Sequence, residues 1–140
     1  MSDEIVLGYD GSDGGKAALN VACGLAKKLG SKIVIAYAYE VSAFGGEVQD
    51  LGKELHERGE ALNAEAAAAA AQQGVESETL IERGEKADAL ARVAADRNAA
   101  MIVVGSRGER PLKGVVLGSV SQKLLHLSET PVLVVPLRKG

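Results

Sequence analysis

The sequence predicts an α/β fold: one domain over residues 1–140 built on a doubly wound, five-stranded parallel sheet, with about four helices on its two faces. Three observations lead there. Short apolar runs alternate with longer segments whose apolar residues recur every three or four positions, in the order β-α-β-α-β-α-β-α-β. The run Ile33 to Tyr39 is apolar almost throughout, as expected of a strand buried on both faces. Two glycine-bearing loops, Gly8 to Ser12 and Gly105 to Ser119, each leave a strand and enter a helix. That is where ligands bind in open parallel sheets, beyond the carboxyl ends of the strands.

Each element has a local reason. Ile5-Val6-Leu7 is too short for a helix and reads as a buried strand. Asp10 and Ser12 follow it as candidate helix N-caps. From Gly14 to Leu29, Ala17, Ala18, Val21, Ala22, Leu25, Ala26 and Leu29 mark one helical face. Lys27 and Lys28 complement the dipole of its last turn, and Gly30 suits a left-handed C′ position. Lys32 to Tyr39 is the second strand. Glu40 to Gln49, with Gly45-Gly46, is expected to be a mobile loop. A helix then runs over about Asp50 to Gln73, its buried stripe being Leu51, Leu55, Leu62, Ala66 and Ala69. The tract Ala66 to Ala71 reads as high helix propensity with a small-residue packing face.

Val75 to Glu82 alternates charged with uncharged residues, the pattern of a half-exposed edge strand. Gly84 turns the chain into a helix from Lys86 to Arg97. Met101 to Val104 is the fourth strand, followed by the glycine loop and a helix carrying Val120, Leu124, Leu125 and Leu127. Pro131 to Pro136 is a short closing strand. Its apolar core, Val132 to Val135, would expose unpaired N–H and C=O groups if left open, so a second copy of the chain is expected to pair there.

Composition narrows the function. A net charge of −3 gives no basic face for nucleic acid. With 3% aromatic residues there are few platforms for stacking bases. No apolar run approaches the ~20 residues of a membrane span. The acidic start Met1-Ser2-Asp3-Glu4 leads straight into a strand and is not a signal peptide. One cysteine, Cys23, lies on an apolar helical face and reads as a buried thiol. These features together lead to a cytoplasmic expectation. His56 and His126 stand far apart on helices without partners at ligand spacing, so no metal site is expected.

The loop after the fourth strand carries the chemistry. Gly118-Ser119 sits at a helix start, where first-turn N–H groups lack partners and the dipole favours an anion. Gly105 and Gly108 allow close backbone approach. The loop is not Gly-x-x-x-x-Gly-Lys-Ser/Thr, the first loop is not Gly-x-Gly-x-x-Gly, and Gly-x-Ser-x-Gly is absent. The site is therefore neither a P-loop, nor a dinucleotide fingerprint, nor a hydrolase elbow.

The spacing Gly105-x2-Gly108-x9-Gly118-Ser119 resembles the ATP-binding signature of the universal stress proteins. The resemblance runs along the whole chain: Ile-Val-Leu-Gly-Tyr-Asp-Gly-Ser near the start, Ile33 to Tyr39, Met101-Ile-Val-Val-Gly-Ser-Arg-Gly, and Pro-Val-Leu-Val-Val-Pro near the end. It implies strand order 3-2-1-4-5 in an adenine nucleotide alpha hydrolase-like arrangement, and a homodimer paired through the last strands. By the same resemblance, Asp10 contacts the nucleoside, with Gly8 and Tyr9 beside it. Ala38 offers main chain to the adenine edge. Val104 and Gly105 line the ribose side. Gly108, Gly118, Ser119 and Ser121 hold phosphates, with Val120 contributing backbone. Apart from the resemblance, Arg107, Arg110 and Lys113 read as a solvated basic loop, with a triphosphate contact by one of the three as the alternative.

Three positions depart from the family pattern. Position 8 is glycine where some ATP-binding members have proline. Position 100 is alanine where aspartate often precedes the strand, and position 121 is serine where threonine is common. ATP is the expected ligand, with Mg²⁺ accompanying the triphosphate. No convincing catalytic base is present for phosphoryl transfer, so no catalytic residue is assigned. A sensor or switch with at most slow hydrolysis is expected. The alternatives are a cyclic AMP-binding member, a nucleotide-free dimeric interaction module, and an adenylating enzyme on a related fold.

Overall fold

In the computed structural model, residues 4–41, 48–106 and 117–137 are described. Among the described residues, nine elements follow in the predicted order: β1 (Ile5–Gly8), α1 (Asp13–Leu29), β2 (Ile33–Tyr39), α2 (Val48–Gln72), β3 (Ser77–Arg83), α3 (Lys86–Asp96), β4 (Met101–Gly105), α4 (Ser119–Leu127) and β5 (Val132–Val135). The strands form one parallel sheet in the order β3-β2-β1-β4-β5. Ile5 lies opposite both Ile33 and Met101, so β1 is the central strand. The chain winds outward through β2 to β3, then returns to the other side of β1 to build β4 and β5. The strand order therefore reverses between β1 and β4, and the carboxyl ends of those strands open a crevice.

Two cores sandwich the sheet. On one face Ile5, Leu7, Ile33, Ile35 and Val103 pack against Ala18, Ala22, Cys23 and Ala26 of α1 and Ala66 and Ala70 of α2. On the other, Val6, Val34, Ile102 and Val104 pack against Ala87, Leu90, Val93 and Ala94 of α3 and Leu124 of α4. Alternate residues of each inner strand feed opposite cores, which explains the unbroken apolar runs. All seven residues of β2 are buried. Cys23 is buried too, and burial raises its thiol pKa.

The local signals work as the sequence implies. Ser12 caps α1, and Gly30 ends it at φ 66° with its N–H bonded to the Ala26 carbonyl. β3 is an edge strand, but it begins at Ser77 because Val75 is still occupied in closing α2, its N–H donating to the Ala70 carbonyl. The stripe of α2 differs from expectation. Leu51, four residues into a helix that begins at Val48, is 47% exposed rather than buried. The packing is carried lower down, where Gly59 lies so close to Tyr37 that an added β-carbon would come within 2.4 Å of the ring. The expected mobile loop over Glu40 to Gln49 falls largely on residues 42–47, outside the described residues.

The amino edge of the sheet is locked by charge. Arg97, at the end of α3, donates to both carboxylate oxygens of Glu4 at 3.0 and 2.9 Å and to Glu78 at 2.8 Å. Lys32 bridges the same two carboxylates at 3.1 and 3.0 Å. The Arg97 hydrogen bond, opposed by burial and helped by Lys32, brings the Glu4 pKa down to about 2.

Candidate functional site

At the carboxyl edge the backbone is arranged by three helix starts. The first belongs to α1. Asp10 accepts from the Ser12 N–H at 3.0 Å and from the Ser12 hydroxyl, and the Ser12 hydroxyl oxygen accepts from the Gly15 N–H at 3.0 Å. Ser12 is thus the N-cap, and Asp10 holds Ser12 in place. The side chain of Asp10 is fixed beside the end of β1 rather than free to swing.

The second start is α4. Gly118 is its N-cap and contributes no side chain to the first-turn N–H groups of Ser119, Val120 and Ser121. The Gly118 N–H donates to the Ser106 carbonyl at 2.7 Å, which holds the helix start against the end of β4. Ser121 is buried, and its hydroxyl donates to the Gly105 carbonyl at 2.8 Å. Its proton is therefore committed to the fold. Gly105 has its own constraint: a β-carbon there would lie 2.7 Å from the Gly14 carbonyl oxygen. The strand end and the α1 backbone approach this closely only because position 105 has no side chain.

The third start is α3. Glu85 caps it by accepting from the Ala87 and Asp88 N–H groups, both at 3.0 Å. Glu85 also pairs with Lys123 of α4 at 2.8 Å. Burial pushes the Glu85 pKa up, but Lys123 and the two N–H donors outweigh it and hold it at about 2.

Between these starts lies a cavity of about 680 Å³. That is within the roughly 300–1,000 Å³ typical of small-molecule sites. It brings together Gly8, Tyr9, Asp10, Ala38, Val104, Gly105, Gly118, Ser119, Val120 and Ser121, every one a residue to which the sequence pointed. Arg107 and Gly108 lie outside the described residues. The β2 wall is apolar, made by the buried Ala36 and Ala38. Tyr9 is buried as well, and its hydroxyl donates to Glu65 at 2.9 Å. Burial first, then Glu65, raises its pKa to about 12, so it stays neutral.

The sequence reading missed the helical contributions to the wall: Leu55 and Arg58 from α2, Lys86 and Leu90 from α3, and Gly15 from α1. No motif marks them. Lys86 did carry a positional signal, since it is the first helical residue after a strand's carboxyl end. His56 and His126 stay apart on exposed surfaces, and His56 pairs with Glu60 at 3.3 Å. Among the described residues no group of three or more His, Cys, Asp or Glu is placed to hold a metal, and no helix is long and apolar enough to cross a membrane.

The sequence pattern of the universal stress protein family matches residues 1–136. A universal stress protein of Thermus aquaticus, named for the QAH/OAS sulfhydrylase 3′ region, is 37% identical over 136 residues, covering 96% of this chain and 99% of its own. Universal stress protein YxiE of Bacillus subtilis is 33% identical over 147 residues, with 96% and 99% covered. Among solved structures, a universal stress protein in complex with cAMP is 30% identical and superposes with a TM-score of 0.77, covering 95% of this chain and 96% of that one.

Proposed function

The chain belongs to the universal stress protein family, and we propose that it binds an adenine nucleotide, ATP with Mg²⁺, in the cavity at the carboxyl ends of β1 and β4. One observation carries this reading. Residues far apart in sequence, Asp10 after β1, Ala38 in β2 and Gly118 to Ser121 at the start of α4, line one cavity at the point where strand order reverses. The apolar Ala36–Ala38 wall suits a purine. The uncapped start of α4 suits phosphate oxygens. Asp10 is the carboxylate of the described lining, and one of its oxygens is already engaged by Ser12. Mg²⁺ suits such a place, since it commonly takes one or two carboxylates and completes its shell with phosphate oxygens and water.

The described lining offers no side chain poised as a general base: Asp10 is tied to Ser12, and the Ser121 proton goes to Gly105. The reading is therefore a binding protein of the cytoplasm, with at most slow hydrolysis, whose occupied and empty states differ for a partner. The second reading is cyclic AMP, favoured by the relative solved in complex with cAMP. We also propose a homodimer through β5, an edge strand whose Leu133 is 38% exposed.

Native mass spectrometry of the purified protein, followed by titration with ATP and Mg²⁺ and then with cyclic AMP, tests the reading. Saturable ATP binding that is lost in Gly118→Val supports it. Preference for cyclic AMP shifts the conclusion to the second reading. No binding of ATP, ADP or cyclic AMP overturns both.

A further inference from the structure

The cavity is tied to the edge of the sheet by a short run of backbone hydrogen bonds. Gly105, the last residue of β4, lies opposite Val135, the last residue of β5. The Ser106 N–H, next along the chain, donates to the Val135 carbonyl at 2.8 Å. The Ser106 carbonyl accepts from the Gly118 N–H at 2.7 Å, and Gly118 is the N-cap of α4. Ser106 therefore stands between the edge strand and the helix start that lines the cavity. Its N–H is held by β5, and its carbonyl holds the segment proposed to take phosphate.

β5 is a slight support for that task. It has four residues, of which Val135 is buried. Its inner neighbour is β4, and no strand among the described residues covers its outer side. Two bonds fix which of its backbone groups are free. The Pro131 carbonyl accepts from the Ile102 N–H, and the Val135 carbonyl from Ser106. Backbone groups alternate in direction along a strand, so the Leu133 backbone also faces β4, while Val132 and Val134 turn theirs outward. Pro136 is next in the outward row and has no N–H to give. So short an open edge frays at low free-energy cost, and fraying takes the Val135 carbonyl away from Ser106.

We propose that pairing of β5 with a second copy of this chain is coupled, through Ser106, to ligand binding in the cavity. The inference rests on the nucleotide and dimer readings and adds to them regulation of the site by assembly. The two outward residues are self-complementary: antiparallel pairing about a two-fold axis at Leu133 sets Val132 of one copy against Val134 of the other. That pairing ties down the edge, so the Val135 carbonyl, Ser106 and the start of α4 are in place before the ligand arrives. A lone chain pays the ordering cost on binding. By linkage the ligand tightens the dimer in return, and because a dimer has two sites, saturation tightens it by the square of the affinity gain per site.

The test uses the whole chain. Sedimentation velocity across a dilution series gives the dimer affinity without and with ATP and Mg²⁺. Equilibrium dialysis then measures binding of ATP and of adenosine below and above that dimer constant, in wild type and in Leu133→Lys, with circular dichroism to establish folding. Leu133 is outside the cavity lining, and lysine on an edge strand opposes pairing. The expected result is that dimeric wild type binds ATP roughly fivefold or more tightly than diluted wild type, which matches Leu133→Lys. Adenosine, which has no phosphate for the start of α4, changes less than ATP. Saturating ATP tightens the wild-type dimer by about the square of the ATP factor. If wild type dimerises and binds ATP, but monomer and dimer bind it equally or adenosine and ATP change together, the coupling is wrong and both underlying readings stand. If wild type stays monomeric with and without ATP, the dimer reading fails and this proposal with it. If neither protein binds ATP, the ATP reading fails, and this proposal again with it.

Discussion

The Ser121 hydroxyl donates a 2.8 Å hydrogen bond to the carbonyl oxygen of Gly105. It joins the first turn of α4 to the last residue of β4, so the two ends of the glycine loop are pinned together. Ser121→Ala leaves a part-buried carbonyl short of its donor and is expected to lower stability by about 1 kcal/mol. Ser121→Thr keeps the hydroxyl and most of the stability. Urea unfolding of the three proteins checks this, and equal midpoints for Ala and wild type would show the bond to be dispensable.

Gly105 and Gly24 predict opposite outcomes for the same substitution. At Gly105 a β-carbon meets the Gly14 backbone at 2.7 Å, and backbone cannot rotate aside. Gly105→Ala should therefore cost about 1–3 kcal/mol and weaken any ligand held between β4 and α1. At Gly24, within α1, a β-carbon meets nothing within 4 Å. Gly24→Ala should stabilise by roughly 0.5–1 kcal/mol through helix propensity. Thermal denaturation of both variants reads the two signs.

Ser12 is both a cap for α1 and the group that fixes Asp10. Ser12→Ala removes the acceptor for the Gly15 N–H and should cost about 1 kcal/mol. Because Asp10 then loses its hydroxyl donor, nucleotide affinity should fall as well, by about threefold to tenfold if the lost bond is worth its usual 0.5–1.5 kcal/mol. A stability loss with unchanged affinity would separate Asp10 from the ligand.

Acid should loosen the amino edge of the sheet. The Glu4 pKa is lowered from 4.5 to about 2, chiefly by its hydrogen bond from Arg97. A carboxylate whose folded pKa lies below its unfolded value contributes stability that is full above the unfolded pKa. That contribution is lost as pH falls from about 4.5 through about 2. Unfolding free energy should decline over this window in wild type and decline less in Glu4→Gln, which has no proton to take up. Parallel curves for the two proteins would mean that the Arg97 pair contributes no pH dependence.

The edge strand makes a prediction about assembly. Leu133 is 38% exposed on β5, whose outer backbone groups face no strand among the described residues. Light scattering at micromolar concentration is expected to give a dimeric mass for wild type and a monomeric mass for Leu133→Lys, since lysine on an edge strand opposes pairing. A monomeric wild type would remove the dimer.

The element order and much of the site were legible because they depend on local rules. Ile33 to Tyr39 cannot be exposed on either face, Gly118-Ser119 reads as a helix start, and the resemblance to the universal stress protein signature joins Gly105 to Gly118. Leu51 shows the limit of that logic: its helical period is right, yet it is 47% exposed, which only the packing of α2 decides. Arg58 and Lys86 show it again: both are exposed residues on helices, and nothing local marks them as lining the cavity.

What the sequence by itself determined was the alternation of strands and helices, which follows from periodicity within short windows, and the family, which shows in a pattern running over residues 1–136. What only the tertiary structure decided was the cavity wall and the use of individual groups. Gly105 is glycine because α1 passes 2.7 Å from where a β-carbon would be, and Ser121 spends its proton on β4. Lys86 lines the cavity from the first turn of α3, and the cap of that helix, Glu85, is paired with Lys123 of α4. Each of these depends on the approach of segments distant along the chain, and such approaches are set by how the helices pack across the sheet rather than by the residues on either side.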